Sequence, residues 1–466
     1  MAYPVIIFNA DTGSNTAASG AGPAVAITGT AAAHTGGVAS TTITLTGSPD
    51  LSGVAVDGSA ALWMKTASGR QFSKITAADD SAKTVTVEDE FTIAEASAVD
   101  FAIGGKRATW NDADSRTAFG ANGVKGGWVI ETETNQTITT SALPIESSGV
   151  STMLPILIRG AASVSHPIIN QTVNLQTFLG SSTNYNFRWF RNLKFTNSVT
   201  GGKTACHAIS ARASITVEDC IFGDPINTLT SALKQTGDQN ILLVNCVVQY
   251  CETAAISFVV VTAHNCTFMH NASSAITSCN SLNVTNCIIA SNGLHGIYMN
   301  IGMLTIITNC IIYGNSNDGI SSRNGVPLIS NSIVANNGGY GLDLDTGLGP
   351  VLFLDYNLFY NNTSGNRGFI AGAHDLATDP LFMDAANGDF RLQAGSPCIN
   401  AGYPSGDIGA LQRAQGTIPA VEDVEAGVSY NVGGQDGTLV GTLVAGGGGG
   451  RVIGSPIIRG TGEVAA

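Results

Sequence analysis

One four-residue pattern recurs along the middle of the chain and limits what it can fold into: Asn or Asp, then Cys, then two strand-forming residues. Full copies stand at Asp219-Cys220-Ile221-Phe222, Asn245-Cys246-Val247-Val248, Asn265-Cys266-Thr267-Phe268, Asn286-Cys287-Ile288-Ile289 and Asn309-Cys310-Ile311-Ile312. Weaker copies flank them at Asn192-Leu193-Lys194-Phe195, Asn331-Ser332-Ile333-Val334 and Tyr356-Asn357-Leu358-Phe359. Counted between leading residues, the spacings are 27, 26, 20, 21, 23, 22 and 25. A second marker runs in phase, a small residue followed by an aliphatic one, at Ala208-Ile209, Ala232-Leu233, Ala255-Ile256, Ala275-Ile276, Gly296-Ile297, Gly319-Ile320 and Gly341-Leu342. Two ladders in one period mark a repeat architecture. Short runs of β-formers between Asn/Gly/Ser turns, with a drifting period, suit a parallel coil whose turns accept insertions better than helical repeats of fixed length.

The two-residue period of a strand sets side-chain direction. Two positions after each cysteine, or its equivalent, stand Phe195, Phe222, Val248, Phe268, Ile289, Ile312, Val334 and Phe359, all large and apolar. The residue between includes Lys194 and Thr267 and is expected to face solvent. Cys220, Cys246, Cys266, Cys287 and Cys310 then form an inward core ladder of small, hydrophobe-like side chains. Metal binding or disulfides are the sharper reading of the same residues. Thiols stacked on successive rungs point the same way, however, and rarely meet disulfide geometry. The leading Asn of each unit is expected in a turn, its amide within reach of the equivalent residue one rung away.

Nine cysteines is an odd number, and they lack C-x-x-C spacing, so no metal site and no cofactor are expected. Charged residues are 12% of the chain, against roughly 25% in ordinary soluble proteins. With 44% hydrophobic residues, polyelectrolyte disorder is excluded. A formal charge of −13 repels phosphate backbones and anionic lipid headgroups, so nucleic acid is not an expected partner. No apolar run reaches the roughly 18 residues of a membrane-spanning helix. The first basic residue is Lys65 and the only early apolar run is Pro4–Phe8, a pattern without a classical export signal.

The central repeat resembles the right-handed parallel β-helix family over roughly residues 125 to 413. Residues 1 to 108 lack the repeat and read as a small β domain, with strands expected near Thr41–Thr46, Gly53–Val56, Ala61–Lys65, Phe72–Thr76 and Thr84–Val87. The stretch from Leu62-Trp63-Met64-Lys65 to Phe101–Thr109 is similar to modules that precede β-helices in virion proteins of tailed bacteriophages. Asp112 is positioned to cap a short helix over residues 113–119 that covers the open first rung. Four blocks in order resemble the closing segment of bacterial and phage β-helices: Asp379–Phe382, Gly388–Leu392, Ser396–Gly402 and Asp407–Ala410. Beyond them, Val421–Tyr430 and Gly437–Leu443 are similar to short tail elements of phage structural proteins. Glycines 446–450 read as a flexible linker.

Many proteins of this resemblance degrade polysaccharides, which needs paired carboxylates, or a base with a cation. Residues 235–322 hold no Lys or Arg, and their only acids are Asp238, Glu252 and Asp318. Aligning rungs on the small-aliphatic marker stacks His295, Asp318 and Tyr340 in one column and Arg323 with Asp345 in another, with Asp343 nearby. Such a column can be an acid/base site, a sugar-contact strip, or a polar turn ladder with a surface ion pair. No G-x-S-x-G elbow or phosphate loop is present.

The expected fold is all-β: an N-terminal β domain (1–108), a right-handed parallel β-helix with its caps (109–413) and a short β tail (414–466). The resemblance implies a structural protein of a tailed-phage virion, a β-helical spike, fibre or decoration on capsid or tail, and the shortage of ionisable groups along the coil leads to the expectation that it is non-enzymatic. It would be a homo-oligomer, with three copies expected, attached to other virion proteins through residues 1–108 and contacting host-surface polysaccharide. The alternatives are a tailspike depolymerase, lyase or hydrolase on the same fold, and a bacterial surface adhesin.

Overall fold

The computed structural model describes residues 5–8, 27–32, 39–56, 60–66, 69–92, 99–103, 129–138, 143–144, 156–172, 177–180, 188–198, 207–211, 215–235, 240–254, 256–257, 260–277, 281–299, 304–323, 326–344, 353–366, 371–410, 429–431 and 438–440. Their regular structure is β apart from one 3₁₀ turn at Ala385–Asn387. Three parallel sheets of eleven, ten and nine strands form the coil, and the chain visits them in a fixed order. One rung runs Ser281–Thr285 in the eleven-stranded sheet, Ile288–Ala290 in the ten-stranded sheet and Ile297–Met299 in the nine-stranded sheet. The next repeats it at Leu304–Thr308, Ile311–Tyr313 and Ile320–Ser322.

The two sequence ladders become stacks in space. Ile209, Leu233, Ile256, Ile276, Ile297, Ile320 and Leu342 are direct register partners along the nine-stranded sheet. In the last three of these rungs the small residue is glycine because of close approach: a Cβ on Gly319 would lie 2.8 Å from the Gly341 carbonyl and from the Val334 side chain. At the corner between the eleven- and ten-stranded sheets, Asn192, Asp219, Asn245, Asn265, Asn286, Asn309 and Asn331 all have φ between 50 and 54°. Asn and Asp tolerate that left-handed conformation better than other side-chain-bearing residues, which explains their recurrence.

The five repeat cysteines are buried and free. They do more than fill volume. The backbone N–H of Cys246 donates to Cys266 Sγ at 3.5 Å, and that of Cys266 to Cys287 Sγ at 3.3 Å. The Cys310 N–H donates to Ser332 Oγ at 3.1 Å and the Ser332 N–H to Asn357 Oδ1 at 3.1 Å. Each thiol in turn points at carbonyls, as Cys310 Sγ does at Thr308 O (3.3 Å) and Val284 O (3.4 Å). Cys, Ser and Asn therefore exchange at one position because each offers an acceptor to a buried N–H of the preceding rung.

A second inward ladder lies at the following corner. Asn271, Asn292, Asn315 and Asn337 are buried and linked in series: each backbone N–H and each Nδ2 donates to the Oδ1 of the next Asn, ending on Asn362. Their Nδ2 groups also bond carbonyls of the core strands, Phe268 O for Asn292 and Ile289 O for Asn315. The leading Asn residues, expected to stack this way, instead serve mainly the corner's backbone conformation. Among them Asn265 Nδ2 reaches Asn245 Oδ1 at 3.3 Å, and both residues are exposed.

The strand Val5–Phe8 pairs in parallel with Val129–Thr132 and so begins the eleven-stranded sheet. Between them in sequence lies a six-stranded antiparallel sheet built from Ile27–Ala31, Ala39–Thr44, Ala61–Thr66, Gly69–Asp79, Thr84–Thr92 and Val99–Ile103. Residues 53–56 are not a strand, because the Val54 N–H closes a turn on Leu51 O. Alternation splits this sheet's side chains. Leu62, Met64, Phe101 and Ile103 fill its own core, while Ala61, Trp63 and Ala102 join the coil's core cluster with Ile130, Ile156 and Ile158. The helix expected at 113–119 lies outside the described residues.

At the other end, the hairpin Phe382–Asp384/Asp389–Leu392 and the segment through Ile408 fold back over the outer face of the ten-stranded sheet. Phe390, Leu392, Cys398 and Ile408 pack on Ile311, Ile333 and Leu358. These three occupy the solvent-facing column of the repeat, yet all are fully buried. The column is solvent-facing only where no segment covers it. In the tail, Ser429–Asn431 and Thr438–Val440 form an antiparallel pair, and residues 446–466 lie outside the described residues.

Candidate functional site

The strand Ile297–Met299 buries Ile297 and Met299 and turns Tyr298 outward on the nine-stranded sheet. Its register partners on that face are Thr277 and Ser321, and Ser321 pairs onward with Asp343. The turn entering the strand carries His295, whose imidazole stacks on the Tyr298 ring at 5.2 Å and 24°. One rung on, Asp318 meets His295: Nδ1 lies 3.2 Å from Oδ2, off the hydrogen-bond direction, so the contact is electrostatic rather than directed. Nε2 lies 3.4 Å from Asn317 Nδ2.

Asp318 is 6% exposed, and its Oδ1 accepts the Tyr340 backbone N–H at 2.8 Å. A Cβ at residue 339 would strike that same oxygen, so Gly339 is what admits the carboxylate beneath the turn. The Arg323 guanidinium carbon stands 6.0 Å from the Tyr298 ring centroid, a cation–π distance.

His295 and Asp318 are thus brought into contact, and Tyr340 joins them through its backbone. Arg323 reaches the group through Tyr298, and Asp343 stands on the same outward ladder. Asp345 lies outside the described residues, so its column with Arg323 is undefined. Tyr298 and Asn317 were missed by sequence reasoning. The available signal for Tyr298 was its position one after the Gly296-Ile297 marker, an outward place on a strand already identified.

The strip offers an aromatic ring beside an imidazole and a guanidinium, with the carboxylate of Asp343 on the same ladder beyond the buried Ser321. The polar groups gathered around the ring suit the hydroxyls of a sugar. The His295–Asp318 contact also brings together an imidazole and a carboxylate, the group types of acid/base chemistry, without a directed hydrogen bond between them. Among the described residues there is no cluster of three or more His, Cys, Asp or Glu able to hold a metal ion.

Residues 258–376 match the family model described as a right-handed β-helix region, and the coil is a right-handed parallel β-helix. No curated protein matches the sequence. Among solved structures, the crystal structure of pectate lyase Pel9A is similar at 14% identity and a TM-score of 0.45, over 62% of this chain and 89% of that one. The A-module of mannuronan C-5 epimerase AlgE4 from Azotobacter vinelandii is similar at 12% identity and a TM-score of 0.39, over 54% of this chain and 89% of that one.

Proposed function

We propose that the chain is a non-enzymatic structural protein of a tailed-phage virion, a β-helical spike, fibre or decoration that touches host-surface glycans through the Tyr298 face. The observation that carries the glycan contact is the outward strip itself: Tyr298 stacked by His295, with Arg323 over the same ring. Asp318, the carboxylate best placed for chemistry, is buried and engaged by the Tyr340 N–H and His295, an arrangement suited to holding the strip in shape. The virion assignment is supported by the closing and tail blocks of the sequence. In this reading the protein is a homotrimer, attached to other virion proteins through residues 1–108.

The test is binding of purified host-surface polysaccharide to the full chain and to Tyr298→Ala. Loss of binding in the variant, with no rise in reducing ends or unsaturated sugars over hours, is the expected result. A second reading, a polysaccharide lyase or hydrolase, is favoured by the His295–Asp318 pair. Product release that His295→Ala abolishes would establish it and overturn the structural reading. The virion assignment fails if antibodies to the protein do not label purified particles.

A further inference from the structure

The corner that carries Asn or Asp on seven successive rungs ends on an aromatic residue. Tyr356 takes the next place in that column with φ 60°, a conformation that bulky side chains rarely adopt. Two more rings flank it. The His374 imidazole stacks on Tyr356 at 4.4 Å and 7°, and the Tyr403 ring lies tilted against it at 5.2 Å and 31°. Both outer rings are held from behind by polar side chains. Asp355 accepts from the His374 backbone N–H on Oδ1 and faces its Nδ1 with Oδ2, each at 2.8 Å. Asn331 accepts the Tyr403 N–H at 2.8 Å and donates Nδ2 to the Tyr403 carbonyl at 2.7 Å.

Despite this support the outer rings are wet: Tyr403 is 59% exposed and the His374 side chain 56%. The stacked positions elsewhere in this column use Asn or Asp. We propose that His374, Tyr356 and Tyr403 form a preorganised platform for a carbohydrate chain, separate from the Tyr298 strip. Rigid amphipathic rings give large contact area with little ordering cost, and the faces of the two wet rings, His374 and Tyr403, match the C–H faces of pyranose rings, with Tyr356 holding them in place. The tyrosine hydroxyls and the free ring nitrogen of His374 supply partners for sugar hydroxyls, while the Asp355 carboxylate is engaged in holding His374. The class of ligand follows the glycan-contact reading above; the location does not depend on it.

The experiment titrates the full chain with a neutral β-linked hexaglucoside and with a hexauronate of matched length, followed by calorimetry and by ring signals of ¹³C-tyrosine protein. One of the two oligosaccharides is expected to shift the Tyr403 signals, identified by their disappearance in Tyr403→Phe. Tyr403→Ala is expected to weaken that binding at least tenfold, with Tyr403→Phe within about threefold of the unmodified protein. The ring shift is read in the unmodified chain, so it holds even if Tyr403→Ala folds poorly. Binding lost in Tyr298→Ala but unchanged in Tyr403→Ala would overturn the platform while leaving the Tyr298 strip standing. Absence of any Tyr403 shift with both probes would also overturn it, as would a Tyr403→Ala variant that changes sedimentation mass and not saccharide affinity, since the rings would then be a subunit contact.

Discussion

Replacing Asn292 with Leu removes one link of the buried asparagine ladder while keeping the branched shape of the side chain. Its Oδ1 accepts from the Asn271 backbone N–H (3.2 Å) and Asn271 Nδ2 (2.9 Å), and its Nδ2 donates to Phe268 O (3.1 Å) and Asn315 Oδ1 (2.9 Å). The residue is 0% exposed, so water cannot replace any of these partners without opening the coil. Asn315 Oδ1 still accepts the backbone N–H of residue 292. That leaves two groups stranded, the Asn271 N–H and one Asn271 Nδ2 proton, because the Phe268 carbonyl keeps its place in the parallel ladder with residues 288–290. At roughly 1 to 1.5 kcal/mol for each buried group left without a partner, the loss is about 2 to 3 kcal/mol. Because stacked repeats can unfold piecemeal, the local readout is the more direct one. The Asn271 amide should exchange at least about thirtyfold faster, since 1.4 kcal/mol corresponds to about tenfold. Asn265→Gly, at an exposed corner where glycine keeps the positive φ, is the control and should change stability by less than about 1 kcal/mol. If Asn292→Leu unfolds in urea within 1 kcal/mol of the unmodified protein and the Asn271 amide stays protected, the ladder is not a stabilising element.

The repeat cysteines should react slowly with a maleimide in the native protein and rapidly in denaturant. Fast native labelling of Cys220, Cys246, Cys266, Cys287 and Cys310 would contradict their burial. Burial holds the Cys251, Cys310 and Cys398 thiols up at about 12, against 9.0 for an ordinary thiol. The unfolded chain then loses these protons first, so stability is complete below about pH 9 and falls as pH rises towards 12, by at most about 1.4 kcal/mol per unit for each thiol. Urea midpoints that do not move between pH 8 and 11 would contradict this. Phe390→Ala, which removes a ring packed edge-on to Tyr313 and Phe382, should cost about 3 to 5 kcal/mol and expose Ile311 and Ile333 to protease or dye; an unchanged midpoint would show that the closing segment does not seal the sheet.

Local chemistry repeated at a fixed period was enough to specify the coil. The alternation around each cysteine fixes which side chains share a face. The recurrence of Asn or Asp at the corner reflects a conformation few other residues accept, and the Gly-Ile marker reflects backbones too close for a Cβ. Those are short-range demands, met rung by rung, so they are written in the sequence at every rung. What the sequence left open depends on segments far apart along the chain. Val5–Phe8 has the apolar pattern of an edge strand, but nothing local says that its partner is Val129–Thr132. Ile311, Ile333 and Leu358 occupy an outward column and become core only because residues 382–408 return to cover them. The site divides the same way. The His295, Asp318 and Tyr340 column followed from the rung alignment, whereas Tyr298 as its centre required knowing which ring the imidazole meets. Among the many Asn residues, the buried ladder is set by the side on which each corner turns its amide, and that direction exists only once neighbouring rungs are stacked.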